Sequence, residues 1–262
     1  VGRPRPEQNR GYIASGTEPL EHLAGQETPP DFKQVFTIGP ETPPGDPYYA
    51  DPAAYPNFAP NLWPGRPEGL KPAMLAYWAA MTDLAGRLLD LCGEALALPP
   101  GFFADKTDRH ISMLRVIDYP PYRGEPQPGQ LRAGAHTDLN MLTILHSDNT
   151  LGGLEVRDRA GRWVAPPALP DAFVVNIGDI MMRWTNDVWI STPHRVVNPP
   201  AGAGAAARRI SLAFFFQANH DAVVDCLPPC RSEGRPARYP PISVGAYRTA
   251  RFAATANAAA PG

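Results

Sequence analysis

Lysine is nearly missing from this chain: Lys33, Lys71 and Lys106 are the only three in 262 residues. Arginine carries almost all the positive charge, yet Lys and Arg together number 24 against 26 acidic residues, a net charge of -2. With no basic excess and no arginine stripe interleaved with aromatics, the chain lacks the field that a phosphate backbone needs, which argues against nucleic acid as a partner. No apolar run approaches the roughly 20 residues that cross a bilayer, and residues 1–10 lack the apolar stretch of a signal peptide. A cytoplasmic protein without a membrane partner is expected. Cysteine is scarce as well: Cys92, Cys226 and Cys230 are an odd set in a fairly large chain, which excludes a disulfide framework. Cys226 and Cys230 have no second pair to complete a metal site, so all three read as ordinary thiols.

What is present fits one folded domain. Hydrophobic residues at 44% beside 19% charged residues set the chain apart from disordered and coiled-coil classes. Arginine in place of lysine, with abundant Ala, Gly and Pro, points to GC-rich coding and a bacterial source. Residues 8–66 are rich in Pro and Gly and poor in periodicity, so ordered loops and extended segments that wrap the core are expected there. From Glu68 to Leu98, Met74, Trp78, Met81, Ala85, Leu88 and Cys92 recur at three- and four-residue steps, the mark of an amphipathic helix that Pro99 and Pro100 end. Beyond Ile111 the chain turns to short β-branched and aromatic runs: 112–119, 142–145, 154–156, 162–164, 173–177, 188–191, 194–197 and 210–216. That strand count suits a jelly roll. The expected class is mainly β with flanking helices. Residues 1–110 form a wrapping segment with helical support, 111–225 the jelly-roll core, and 226–262 an extension packed on it.

His136-Thr137-Asp138 sets an imidazole and a carboxylate two residues apart, on one face if the backbone is extended. Such a pair arises easily by chance. His194, at the start of another expected strand, supplies the third member: two imidazoles and a carboxylate match the facial triad of non-haem iron oxygenases, which leaves open positions for a cosubstrate and O2. Arg209 and Ser211 share one face of the last core strand and form a fork suited to a carboxylate, unless the arginine merely pairs at the surface. The remaining histidines, His22, His110, His146 and His220, sit in no comparable motif.

In order along the chain these residues resemble the isopenicillin N synthase-like family of iron(II)/2-oxoglutarate oxygenases. The resemblance rests on Ala135 to Asp138, Leu142-Thr143-Ile144-Leu145, Gly152-Gly153-Leu154, Asn176-Ile177-Gly178-Asp179, Thr185-Asn186, Ser191 to Val196, Arg209-Ile210-Ser211 with Phe214 to Phe216, and Tyr239 to Ile242 with Tyr247. It implies a double-stranded β-helix core, Fe(II) on His136, Asp138 and His194, and Arg209, Ser211 and Tyr119 around 2-oxoglutarate. In the family's Asn-and-Tyr segment, Tyr119 keeps its place while Ile117 replaces the Asn. The implied reaction uses O2 to decarboxylate 2-oxoglutarate to succinate and CO2 while hydroxylating, desaturating or cyclising a small molecule, in bacterial specialised metabolism. An oxidase on the same triad without 2-oxoglutarate, or a barrel that only binds, are the alternatives. Retention of Asp138 speaks against a halogenase. Strand alternation places Met113, Arg115 and Ile117 beside Tyr119, and Phe215 beside Arg209 and Ser211, as substrate-facing candidates. Asn140 and Met141 follow the metal carboxylate and are further pocket candidates. No obligate protein partner is inferred. The family ordinarily has another helix and strand before a position like Arg10-Gly11-Tyr12, so an N-terminus that is shortened or incompletely represented is expected.

Overall fold

A computed structural model of the chain describes residues 8–15, 29–43, 45–55, 57–121, 126–148, 152–167, 169–200 and 202–258. Its strands are β1 (Gly11–Ile13), β2 (Gln34–Ile38), β3 (Met113–Tyr119), β4 (Ala133–His136), β5 (Leu142–Ser147), β6 (Leu154–Arg157), β7 (Trp163–Val164), β8 (Val174–Ile177), β9 (His194–Val196), β10 (Arg209–Phe216), β11 (Val223–Val224) and β12 (Ile242–Ser243). Its helices are α1 (Pro47–Ala50), α2 (Leu70–Ala95), α3 (Ala104–Thr107), α4 (Asp179–Trp184) and α5 (Val244–Ala258). None is long and apolar enough to cross a membrane.

Two antiparallel sheets make the jelly roll, a double-stranded β-helix with helices around it. The larger runs β1-β2-β3-β10-β5-β8 and the smaller β4-β9-β6-β7. Alternation along β3 and β10 assigns their faces. Leu114, Phe214 and Phe216 turn outward into the core beneath α2, where Met74, Met81, Ala85 and Leu89 recur on one helical face. The Trp78 ring meets Phe214 edge-on at 5.2 Å. Burying each large side chain contributes about 1.5–3 kcal/mol, so this seam fixes which face of the sheet looks inward. The opposite face carries Met113, Arg115, Ile117 and Tyr119, paired in register with Phe215, Ala213, Ser211 and Arg209. All eight line the interior cavity between the sheets.

Strands β1, β2, β4, β11 and β12 lie outside the expected runs, and other local features depart from the sequence expectations too. Gln34–Ile38 adds a strand to the large sheet, pairing Val35 with Ile117, and packs on both faces, Val35 against the inner cluster and Ile38 against the outer core. Residues 188–191, expected as a strand, lie outside any sheet. Asn186 and Asp187 take positive φ (51° and 61°), Val188 N–H bonds the Thr185 carbonyl and Trp189 N–H bonds the Thr185 hydroxyl, so turn chemistry claims the backbone first. Helix α2 stops ahead of Pro99: Ala97 at φ 50° lets Leu98 N–H reach the Gly93 carbonyl, closing the helix end.

Candidate metal centre

The smaller sheet positions both imidazoles. His136 ends β4, His194 begins β9, and the two are register partners with ring centroids 4.3 Å apart. Each ring is oriented within its own segment: His136 Nδ1 lies 2.8 Å from the Gly134 carbonyl and His194 Nδ1 3.0 Å from the Thr192 carbonyl. A carbonyl can only accept, so both Nδ1 atoms carry the proton and both Nε2 lone pairs are left for a metal. Those Nε2 atoms stand 3.9 and 3.7 Å from Asp138 Oδ1. The three ligand atoms lie within 4.8 Å of one another, the one such cluster of metal-ligating side chains among the described residues.

Asp138 follows β4 on a loop that a strand-to-helix corner holds in place. The corner's backbone donates three hydrogen bonds to that loop: Gly178 N–H to Met141 O at 2.9 Å, Asp179 N–H to Asp138 O at 2.7 Å and Ile180 N–H to Asn140 O at 3.1 Å. Gly178 is required by the close approach, since a Cβ there would sit 2.2 Å from the Asn140 carbonyl oxygen. The second carboxylate oxygen is engaged separately. Asp138 Oδ2 accepts from the Thr143 hydroxyl at 2.6 Å and from Asn176 Nδ2 at 2.8 Å, which leaves Oδ1 turned toward the imidazoles. Burial acts to raise the Asp138 pKa, but His194 and His136, helped by these two hydrogen bonds, hold it below the usual carboxylate range. Burial, with His194 beside it, pushes His136 down to about 3, in keeping with a neutral ligand imidazole.

Across the cavity, Arg209 and Ser211 project from β10. Both are almost completely buried. The Arg209 guanidinium lies 5.2 Å from the centre of the Tyr119 ring, and Arg209 Nε and Ser211 Oγ have no hydrogen-bond partner among the described residues. Unpaired donors in a buried site cost about 1–3 kcal/mol each, so their presence together fits a carboxylate-binding fork. Burial raises the Tyr119 pKa and keeps its phenol protonated, as a further donor. The donor set therefore fits both a divalent metal with nitrogen and oxygen ligands and a cosubstrate carboxylate.

The other candidates divide. Met113, Arg115, Ile117, Asn140 and Phe215 line the same cavity as the triad. The Asn140 amide is occupied there, donating to Leu142 O and to Thr143 Oγ1, so it braces Thr143 rather than reaching into the space. Met141 is not at the cavity. Its side chain is fully buried in the core beneath the large sheet, because it has the opposite sense of Asn140, and its N–H bonds Phe216 O. His110 stacks on Trp78, His146 lies exposed on β5 and His220 bonds Tyr48, whereas His22 lies outside the described residues. Cys226 and Cys230 are buried free thiols. Reading the sequence assigned no role to Thr143 and Asn176, although both stand in the quoted motifs and inward alternation on β5 marks Thr143. Nothing near Arg248 in the sequence signals that α5 brings it to the cavity wall.

Residues 110–218 match the model of the 2OG-Fe(II) oxygenase superfamily. The chain is 33% identical over 248 residues to validamycin A dioxygenase of Streptomyces hygroscopicus, covering 94% of this chain and 65% of that protein. It is 34% identical over 250 residues to the 2-oxoglutarate-Fe(II) type oxidoreductase hxnY of Emericella nidulans, covering 92% and 68%. The chain thus spans about two thirds of the length of these curated relatives. A full-length Neurospora crassa protein, solved in complex with alpha-KG, superposes with a TM-score of 0.82 at 33% identity, over 97% of this chain and 76% of that one.

Proposed function

The chain belongs to the 2OG-Fe(II) oxygenase superfamily, and from that premise we propose that it oxidises a small molecule with Fe(II), 2-oxoglutarate and O2, hydroxylation being its default outcome. The observation that carries this reading is the pairing, in one cavity of about 370 Å³, of the His136, Asp138 and His194 cluster with the unpartnered donors of Arg209 and Ser211. The alternative is an oxidase on the same triad that needs no cosubstrate, and succinate release during turnover separates the two.

His136, Asp138 and His194 would hold the metal, and Arg209, Ser211 and the Tyr119 hydroxyl the far carboxylate of 2-oxoglutarate. When bound, Fe(II) and 2-oxoglutarate supply an oxidant made from O2, with release of succinate and CO2, able to take hydrogen from an unactivated C–H bond. The chain's residues prepare for this. Thr143 and Asn176 engage Asp138 Oδ2 and leave Oδ1 free, so that with the two imidazoles it would offer a metal three protein ligand atoms. Leu145, Leu154, Val156 and Val174 supply apolar wall, which limits water beside a reactive centre. Ile117, with 9% of its surface exposed, adds to that wall where relatives of the resembled family place an amide. The relatives named above support a small-molecule substrate, since one is named for validamycin A.

The test is 2-oxoglutarate itself. Calorimetry under nitrogen, with Mn(II) in place of iron, should show metal-dependent binding that His136→Ala and Arg209→Met abolish, and aerobic turnover should release one succinate per product. Binding of 2-oxoglutarate indifferent to both substitutions, or turnover without succinate, sinks the proposal.

A further inference from the structure

Part of the cavity wall comes from a segment far ahead of the barrel in sequence. Asn9, just before β1, lines the same space as the triad and the fork. Its side chain makes two hydrogen bonds among the described residues: Oδ1 accepts from Arg115 Nη2 at 2.7 Å, and Nδ2 donates to Met113 Sδ at 3.8 Å. A guanidinium can only donate, so the contact with Arg115 settles which end of the amide is oxygen and turns the amino end toward the thioether. That end carries two N–H groups, and a thioether sulfur is a weak acceptor, so Nδ2 retains the capacity to bind an oxygen.

The donor is held in place by construction. Asn9 takes a left-handed backbone at φ 48°, which asparagine tolerates better than most residues. Arg10, almost completely buried, donates through Nη1 to the Gln8 and Asn9 carbonyls at 3.3 and 3.2 Å and through Nη2 to the Asn57 carbonyl at 2.5 Å. A Cβ at Gly39 would collide with that guanidinium, so a glycine makes room for it. Strand β1 then carries the segment into the large sheet, Tyr12 pairing with Phe36. A side chain fixed in this way offers a ligand contact at little further cost in ordering.

Strand register relates Asn9 to the metal site. Thr143 on β5, Phe215 on β10 and Met113 on β3 are paired neighbours in one row across the large sheet, and all three line the cavity. Thr143 bonds Asp138 at one end of the row, and Asn9 meets Met113 at the other. Two strand spacings make that row about 10 Å long. The fork lies farther along β10, Arg209 being six residues from Phe215. We propose that Asn9 contacts the substrate, donating through Nδ2 to a carbonyl oxygen, so that the substrate class is a small neutral carbonyl compound whose body packs on Phe215 and extends toward the metal. An uncharged amide donor above the apolar side chains of Met113, Ile117 and Phe215 suits an uncharged acceptor. This rests on the oxygenase reading above and deepens it.

The probes are aryl and cycloalkyl ketones of about six to twelve carbons, each matched with the hydrocarbon in which CH2 replaces the carbonyl and with a carboxylic acid of the same body. Binding is measured by calorimetry to the Mn(II)-loaded protein saturated with 2-oxoglutarate under nitrogen, and again to the metal-free protein. The informative variant is Asn9→Asp, which keeps an oxygen for Arg115 and tolerates the same backbone but turns the donor into an acceptor. At least one ketone should bind the parent protein and lose about 10-fold or more in Asn9→Asp, while its hydrocarbon counterpart and 2-oxoglutarate stay within about 2-fold. A purely structural Asn9 would spare the ketone in this variant, because the contact with Arg115 survives. A panel in which no ketone binds, a ketone indifferent to Asn9→Asp, an equal loss for ketone and hydrocarbon, or an acid that outbinds every ketone overturns the assignment. Failure of 2-oxoglutarate to bind overturns the oxygenase reading instead, and the metal-free measurement still reads Asn9.

Discussion

Replacing Thr143 with Val isolates the part of the metal site that lies behind its ligands. The substitution keeps the side-chain shape and removes one hydroxyl, which donates to Asp138 Oδ2 at 2.6 Å in a fully buried setting. Asn140 Nδ2 loses Thr143 Oγ1 as an acceptor but keeps the Leu142 carbonyl at 3.0 Å, so no donor is stranded. Asn176 still donates to the same carboxylate oxygen at 2.8 Å. Asp138 loses one support that holds its pKa down, yet at neutral pH it stays ionised beside two imidazoles, so proton competition adds little. The loss therefore comes through orientation, because a carboxylate held by one hydrogen bond can rotate where one held by two cannot. A hydrogen bond to a charged group contributes about 1.5–3 kcal/mol, and partners behind metal ligands change affinity by about 10–100-fold. With Asn176 intact, the low end applies: about 10-fold weaker binding. Anaerobic equilibrium dialysis against Mn(II) at neutral pH measures it, with the denaturant midpoint of the metal-free protein as the folding control. Thr143→Val combined with Asn176→Ala should lose more than the two singles predict, since both donors share one acceptor. Metal affinity within 2-fold of the parent in Thr143→Val, in a folded protein, would refute the reasoning.

Arg209→Met should weaken 2-oxoglutarate about 100-fold or more, and Ser211→Ala about 10-fold, with Mn(II) affinity nearly unchanged in both; calorimetry would expose an equal loss of metal as misfolding. Gly178→Ala should cost about 3 kcal/mol and lower metal affinity in parallel, because its Cβ would displace Asn140 and with it the loop of Asp138, and an unaltered melting curve would mean the corner yields freely. His110, which burial pushes down to about 4 from an ordinary 6.5, makes the metal-free protein lose stability in acid. The unfolded chain takes up a proton on this residue below pH 6.5 and the folded one does not until about pH 4. About 2 kcal/mol should therefore disappear between pH 7.5 and 5, and His110→Phe should flatten that slope in urea titrations at the two pH values; an unchanged slope assigns it to other groups.

The parts of this fold legible in the sequence are those where periodicity and chemistry are local. Met74 to Leu89 spell one helical face, and the alternation of Met113 to Tyr119 and Arg209 to Phe215 predicted which side chains share the cavity before any strand was paired. His136, Asp138 and His194 were recognisable because their spacing is rare when combined with an Arg-x-Ser strand. What stayed hidden depends on packing between distant segments. Val188 to Ser191 has strand composition, but the turn built on Thr185 and Asn186 overrides it. Gln34–Ile38 is a sound strand whose proline-rich flanks concealed it. Met141 and Asn140 are neighbours with opposite fates, and only the register of the loop against Phe216 decides which one faces the core. Arg248 reaches its wall through the docking of α5, about which a lone arginine in a C-terminal helix gives no hint.

The two ligand histidines take their orientation from carbonyls two residues upstream, Gly134 and Thr192, inside their own segments. Asp138 instead depends on Thr143, Asn176 and the Gly178 corner, none of which belongs to the smaller sheet. The site is thus modular in an uneven way. Cavity-lining positions such as Met113, Ile117 and Phe215 stand on the large sheet, apart from the carbonyls that orient the imidazoles, so substituting them should leave both rings in place. The carboxylate has no such insulation, and a substitution along the β5–β8 edge, where Thr143 and Asn176 stand, reaches Asp138 directly.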